Sequence, residues 1–222
     1  MFFEPLKEVR MSSRTLWTLT AALLVVGALL AGPSLAGADK DKASAAKARI
    51  GAPAPDFALQ DQDGNTVKLS DFAGKIVVLE WFNDECPVVV RHYRNRPDGG
   101  MNALASRYMD KGVVWLAINS TKNKTNADNK KAAQELSVNR PILNDSSGEV
   151  GHLYGATNTP GMYVINKDGI LAYMGAIDDD PSGRKKEGVK NYVAQALDEL
   201  LAGQSVSEPQ TKQYGCTVKY AK

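Results

Sequence analysis

A chain of 222 residues, 43% hydrophobic and 23% charged, is long enough for one domain with a proper core, and its composition is ordinary for a globular protein. Its 27 Lys and Arg against 25 Asp and Glu give a net charge of +2 with no basic stripe, so electrostatics offers no case for a nucleic-acid partner.

The first segment has basic residues at Arg10 and Arg14, then an apolar stretch from Leu16 to Ala31, then small residues ending in Ala36-Gly37-Ala38. This pattern predicts a secretory signal peptide over 1–38, cleaved after Ala38, with Met1 or Met11 as the start. The apolar stretch is about 16 residues, short of the roughly 20 that a spanning helix needs. An uncleaved anchor is the alternative, and only that alternative brings in a membrane. Export to a periplasmic or extracellular space bears on the two cysteines, Cys86 and Cys216, because exported thiols tend to pair, permanently or in a cycle.

Residues 39–49, "DKDKASAAKAR", are charged and Ala-rich with no apolar face, and read as a flexible linker. Residues 50–75 read as an entry segment and a β-hairpin turning at Asp63-Gly64. "IVVLEWF", 76–82, and "VVWLAIN", 113–119, are continuous apolar runs, as strands buried on both faces are. Between them Met101, Leu104, Ala105 and Tyr108 share one helical face, and the Pro-Gly-rich stretch 96–100 predicts a short helix after Cys86, a break and a second helix. Strand, helix and strand of this kind make a parallel βαβ unit. A polar helix is expected near 127–137, with Ala132, Ala133 and Leu136 inward. "MYVIN" and "ILAYM" are joined by "KDG" as a second hairpin. A last helix, 187–203, carries a stripe from Val189 through Tyr192, Val193, Ala196, Leu197, Leu200 and Leu201, with Gly203 suited to its C-terminal end. The tail, 204–222, has no helical period and carries Cys216.

Cys86 lies at a strand-to-helix junction, with Pro87 at the first helical position. A helix N-terminus offers free N–H groups and a positive dipole end, and both favour a thiolate. The plainer alternative is a small buried core residue. Glu80 is the ionisable group in an otherwise apolar strand. It is either a desolvated carboxyl with a raised pKa, able to move protons, or a side chain that escapes to solvent. His92 is expected on the surface of a helix and His152 in a structural role; no metal site is expected. "IDDDP", 177–181, reads as a solvated loop, and Trp81 and Trp115 as core.

The order of elements, the opening "GAPAPDFALQDQDG", the Cys-Pro after an apolar strand and "NTPGMYVINKDG" together resemble the thioredoxin superfamily. More narrowly they resemble its redoxin branch, which includes alkyl hydroperoxide reductases, thiol-specific antioxidants and exported thioredoxin-like reductases. The likeness covers about residues 50–203. It implies an α/β thioredoxin-like fold, a central mixed β-sheet flanked by helices, here with an extra N-terminal hairpin and a C-terminal tail.

It also implies roles, residue by residue. Cys86 matches the nucleophilic cysteine, and Val89 stands where a C-x-x-C motif has its second cysteine. Glu80 matches a buried acid that helps move the active-site proton. Pro160 matches a cis-proline beside the cysteine, against the alternative of an ordinary turn proline. The peroxiredoxin pattern is broken: Asn83 and Leu79 take the places of its Thr or Ser and its Pro, and Pro160 takes the place of its Arg. Asn83 keeps a side chain able to hydrogen-bond a peroxide oxygen or the thiolate. With no second cysteine near Cys86, Cys216 on a flexible tail becomes the candidate resolving cysteine. A permanent Cys86–Cys216 staple, closing a loop of about 130 residues and worth on the order of 4–5 kcal/mol, is the competitor; no pairing at all is the third possibility.

The expectation is an exported thiol–disulfide oxidoreductase served by an external dithiol donor and acting on a disulfide-containing protein, with no cofactor. The alternatives are a thiol peroxidase acting on hydroperoxides and a non-catalytic binding module tied by a structural disulfide.

Overall fold

The computed structural model describes residues 47–94, 96, 100–185 and 187–221. The expected signal peptide, 1–38, and most of the expected linker, 39–49, lie outside the described residues.

The two apolar runs form the centre of the sheet. β3 (Val77–Trp81) and β4 (Val114–Asn119) pair in parallel, Val78 opposite Trp115 and Glu80 opposite Ala117. Side-chain alternation then sends Val77, Leu79 and Trp81 to one face, with Leu116 and Ile118. Val78 goes to the other face, with Trp115 and Ala117. Both faces are covered, which is why neither run alternates in polarity. The crossover from β3 to β4 is the expected pair of helices, α1 (Pro87–Tyr93) and α2 (Gly100–Met109). After β4 come α3 (Asn126–Glu135), β5 (Ile142–Asn144), α4 (Glu149–Tyr154), β6 (Asn158–Thr159), and the hairpin β7 (Gly161–Ile165) and β8 (Leu171–Gly175). α5 (Tyr192–Leu201) packs Val193, Ala196 and Leu197 on the face that carries Val78. The N-terminal hairpin is β1 (Ala58–Gln60) with β2 (Thr66–Lys68). The main sheet is mixed, in the order β2-β1-β5-β4-β3-β7-β8.

The sequence reading passes over β5, α4 and β6. Three-residue and two-residue strands and a six-residue helix are too short to show a period. α4 is set between Gly148 and Gly155, both in the left-handed region, so its limits are written in backbone freedom rather than in a stripe. Val189 is not part of the last helix: α5 begins after Asn191, whose side chain accepts the Ala194 amide as an N-cap.

The tail is the main correction. It is not a free arm but a strap laid over the domain. The Pro209 carbonyl accepts the Met174 amide and the Thr211 amide donates to the Met174 carbonyl. The Thr211 hydroxyl accepts the Ala176 amide at 2.9 Å. A Cβ on Gly175 would collide with Thr211, so only glycine lets the strap sit there. Further on, β9 (Cys216–Thr217) pairs antiparallel with β6, Cys216 opposite Thr159. Beyond it, Tyr220 donates to the Ala156 carbonyl at 2.7 Å and stacks on His152.

The "IDDDP" loop is also not a solvated one. Asp178 and Asp180 are both buried. Asp180 accepts the backbone amides of Arg184 and Lys185 and so closes its own turn. Among the described residues no group of three or more His, Cys, Asp or Glu is arranged to hold a metal, and no helix is long and apolar enough to cross a membrane. Trp81 and Trp115 are core residues.

Candidate active site

Cys86 is the N-cap of α1: its backbone is extended, its carbonyl accepts the Val90 amide at 2.9 Å, and Pro87 takes the first helical position. Its own amide donates to the Asn83 carbonyl, which tightens the turn leaving β3. The side chain points inward, 1% exposed, and its thiol donates to the Thr159 carbonyl at 3.2 Å. The Thr159–Pro160 peptide is cis.

Because β6 holds Thr159 against Cys86 and β9 holds Cys216 against Thr159, three segments far apart in sequence meet at one point. Both cysteines are free thiols, and they lie within hydrogen-bonding reach of each other. Burial pushes the Cys86 thiol up. Hydrogen bonds from the Cys216 thiol and the Thr159 side-chain hydroxyl, and from the Val89 and Cys216 amides, outweigh it and hold Cys86 below the usual thiol range. Cys216 shifts the other way, raised by burial and by its contact with Cys86. The pair is therefore asymmetric: Cys86 gives up its proton more readily than Cys216 does. Cys216 is also the more exposed of the two.

Glu80, near the end of β3, is fully buried. It is not the lone carboxyl the sequence suggests. The Arg140 guanidinium donates to it at 2.9 Å, the Trp115 indole at 3.0 Å and the Tyr93 phenol at 2.6 Å. Burial works against the charge on Arg140, but Tyr93 and Glu80 more than offset it. Tyr93 is on α1, so this cluster braces the helix that Cys86 caps. Glu80 makes no hydrogen bond to Cys86. Asn83 is buried, but its side-chain oxygen accepts the Glu85 amide at 2.9 Å, so this half of the amide serves the turn rather than the sulfur. Lys124 bridges Asp84 and Glu85 over the same turn.

His92 is a second correction. It is 1% exposed, not on the surface, and burial lowers its pKa to about 4. Its Nε2 lies 3.1 Å from the Tyr214 hydroxyl, which in turn donates to Asp178.

The sequence profile of the AhpC/TSA family matches residues 50–174. The chain belongs to the AhpC/TSA family. Among curated proteins it is 30% identical over 147 residues to the thiol-disulfide oxidoreductase ResA of Bacillus thuringiensis subsp. konkukian, a match covering 66% of this chain and 78% of that protein. Among solved structures it is similar to an uncharacterised conserved protein from Geobacillus kaustophilus, with 33% identity, a TM-score of 0.68, and coverage of 78% of this chain and 93% of the other. A hypothetical protein from Sinorhizobium meliloti 1021 is similar at 26% identity and a TM-score of 0.69, covering 80% and 97%.

The family match stops at Met174, before α5 and the tail. Cys216 and Tyr214 thus lie outside the part that this AhpC/TSA member shares with the family profile. Sequence reasoning finds Cys216 because it is a cysteine. It does not find Arg140, Tyr93, Thr159 or Tyr214. Tyr214 carries a faint signal, two residues before Cys216 in "YGC", but nothing in spacing ties Arg140 to Glu80 across 60 positions.

Proposed function

We propose that this AhpC/TSA-family chain is an exported thiol–disulfide oxidoreductase whose working pair is Cys86 and Cys216. The observation that carries this reading is the convergence on Thr159: its carbonyl takes the Cys86 thiol and its strand partner is Cys216. In the exchange, the Cys86 thiolate attacks one sulfur of a substrate disulfide and the other sulfur leaves as a thiolate. Cys216 then loses its proton and attacks the Cys86 sulfur. The substrate's second thiol leaves, and two electrons have passed to the substrate, leaving a Cys86–Cys216 disulfide. Regeneration needs an external dithiol. Exposure favours its attack on the Cys216 sulfur, since Cys86 is buried. Cys86, with the lower pKa, is then the better leaving group. The donor's second thiol displaces Cys216 and completes the cycle. Glu80 acts here by bracing α1 through Tyr93, and Asn83 and Pro160 shape the turn and the loop that flank the sulfur. Export rests on the signal pattern of 1–38, and N-terminal sequencing of the exported protein should begin at Asp39.

A second reading, a thiol peroxidase, is favoured by the burial of Cys86, which admits a small oxidant more readily than a protein. There the thiolate takes the distal peroxide oxygen, an alcohol or water leaves, and Cys216 condenses with the sulfenic acid to release water. Asn83, Leu79 and Pro160 stand where the peroxide-activating residues are expected, and they weigh against it.

The test is thiol trapping with mass spectrometry in glutathione buffers of known potential, on wild type, Cys86→Ser and Cys216→Ser. The expected result is a Cys86–Cys216 disulfide that mild dithiothreitol reduces, insulin-type disulfide reduction by wild type, and loss of turnover in both variants. A disulfide that resists dithiothreitol, with no turnover to lose, would mean a structural staple. Oxidation by hydrogen peroxide no faster than free cysteine would eliminate the peroxidase.

A further inference from the structure

The Cys86–Cys216 approach depends on where the strap lies, and close to the sulfurs the strap is anchored by Gln213 on the Tyr163 hydroxyl and by a second residue that reaches across to α1. That second residue is Tyr214, two residues before Cys216. Its phenol donates to Asp178 Oδ1, and His92 Nε2 lies 3.1 Å from the phenol oxygen. Since the phenol proton is committed to Asp178, His92 donates through Nε2–H. The direction of the chain is fixed: His92 to Tyr214 to Asp178. Each end is tied to the site. His92 is on α1, the helix that Cys86 caps. Asp178 lies in the loop after β8, and α1 holds that loop as well, through Arg91 Nη2 on the Asp180 and Pro181 carbonyls. Just beyond α1, Arg96 lies 3.7 Å from Asp178 Oδ2. Asp178 Oδ1 also accepts the Asp180 amide. The anchor is thus referenced to the same helix as the nucleophile.

Between the anchor and Cys216 stands only Gly215, at φ +105 and packed on the Thr159 carbonyl, where a Cβ would collide. The chain has no slack between the phenol and the sulfur.

We propose that Tyr214 is the positioning residue of the dithiol: clamped between His92 and Asp178, it sets the register that brings the Cys216 thiol onto the Cys86 sulfur. This rests on the reading of Cys86 and Cys216 as a redox pair. The proposal is about effective concentration rather than stability: the hydroxyl of Tyr214 fixes a sulfur two residues away.

The experiment is the equilibrium of the Cys86–Cys216 disulfide against glutathione, read by thiol trapping in the full chain, for wild type, Tyr214→Phe and Thr211→Val. Tyr214→Phe keeps the ring and deletes both hydrogen bonds. It is expected to lower the effective concentration of the pair about tenfold, which raises the reduction potential by about 30 mV. Thr211→Val loosens the same strap on Ala176 and Tyr173, farther from Cys216, and is expected to leave the potential close to wild type. The rate of Cys86 alkylation should be the same in Cys216→Ser and in Cys216→Ser combined with Tyr214→Phe, because the hydroxyl acts on Cys216 and not on Cys86. A wild-type potential in Tyr214→Phe, or an equal shift in Thr211→Val, overturns the assignment and leaves Tyr214 as one tether among several. If wild type itself forms no Cys86–Cys216 disulfide in any glutathione buffer, it is the redox-pair reading that falls.

Discussion

At the scale of single residues, environment overrides type. His92 reads as a surface residue and Glu80 as a carboxyl that either stays in or escapes, and both are fully enclosed. For His92, burial is the largest influence and favours the neutral ring. Asp178 and Glu80 pull toward the charged form, while Arg91 and Arg96 push away from it. With a folded pKa of about 4 against an ordinary 6.5, the unfolded chain binds a proton between these values that the folded chain does not. Stability from this residue is therefore complete above about pH 6.5, falls as pH drops toward 4, and changes no further below. The loss amounts to about 3 kcal/mol. Urea unfolding from pH 7 down to pH 4 should show this slope in wild type and a flatter one in His92→Gln. Glu80 and Arg140 form a buried ion pair, so removing one partner strands the other. Arg140→Met should cost about 3–5 kcal/mol in urea unfolding, and Glu80→Gln with Arg140→Met less than the sum of the two single changes. Cys86 owes its lowered pKa in large part to the Cys216 thiol. Cys216→Ala removes that donor, so the pH midpoint of Cys86 alkylation by iodoacetamide should move up.

At the scale of elements, the site is made where short pieces cross. α1 gives Cys86 its helix terminus, β6 brings the Thr159 carbonyl, and β9 brings Cys216. A two-residue pairing has little strength alone. It is held by its flanks: Val218 on the Thr157 carbonyl, Asn158 on the Gly215 carbonyl, and Gly215 itself packed where no side chain fits. Gly215→Ala is expected to lift β9 from β6 and slow Cys86–Cys216 disulfide formation by about tenfold or more, because the added methyl meets the Thr159 carbonyl in a backbone conformation that alanine disfavours. Quenched thiol trapping after a pulse of oxidised glutathione measures that rate. A Gly215→Ala protein that oxidises at the wild-type rate would show that β9 does not present Cys216.

At the scale of the whole molecule, closing Cys86 to Cys216 links the start of α1 to a strap that has crossed β8 and reached β6. The loop is about 130 residues, so oxidation should raise unfolding free energy by on the order of 5 kcal/mol in the chain-entropy account. Parallel denaturation of oxidised and reduced protein checks this, and Cys216→Ser should remove the difference. The central sheet is legible in the sequence. Two largely apolar runs dictate two-sided burial, the stripes of α2 and α5 supply the cover, and a Cys-Pro at a strand-to-helix junction marks the thiol. These are local patterns, because period, capping and turn chemistry act within a few residues. The rest was decided by contacts between distant segments. The course of residues 204–221 rests on backbone bonds and glycine gaps that have no period. The partners of Glu80 and His92 come from β4, α1, the segment before β5 and the tail. By itself the sequence determined that Cys86 is the residue to watch and that Val89 leaves it without a near neighbour thiol. Only the tertiary structure decided that Cys216 stands beside it, because burial and hydrogen-bond satisfaction are settled by what folds against a residue and not by what precedes it in the chain.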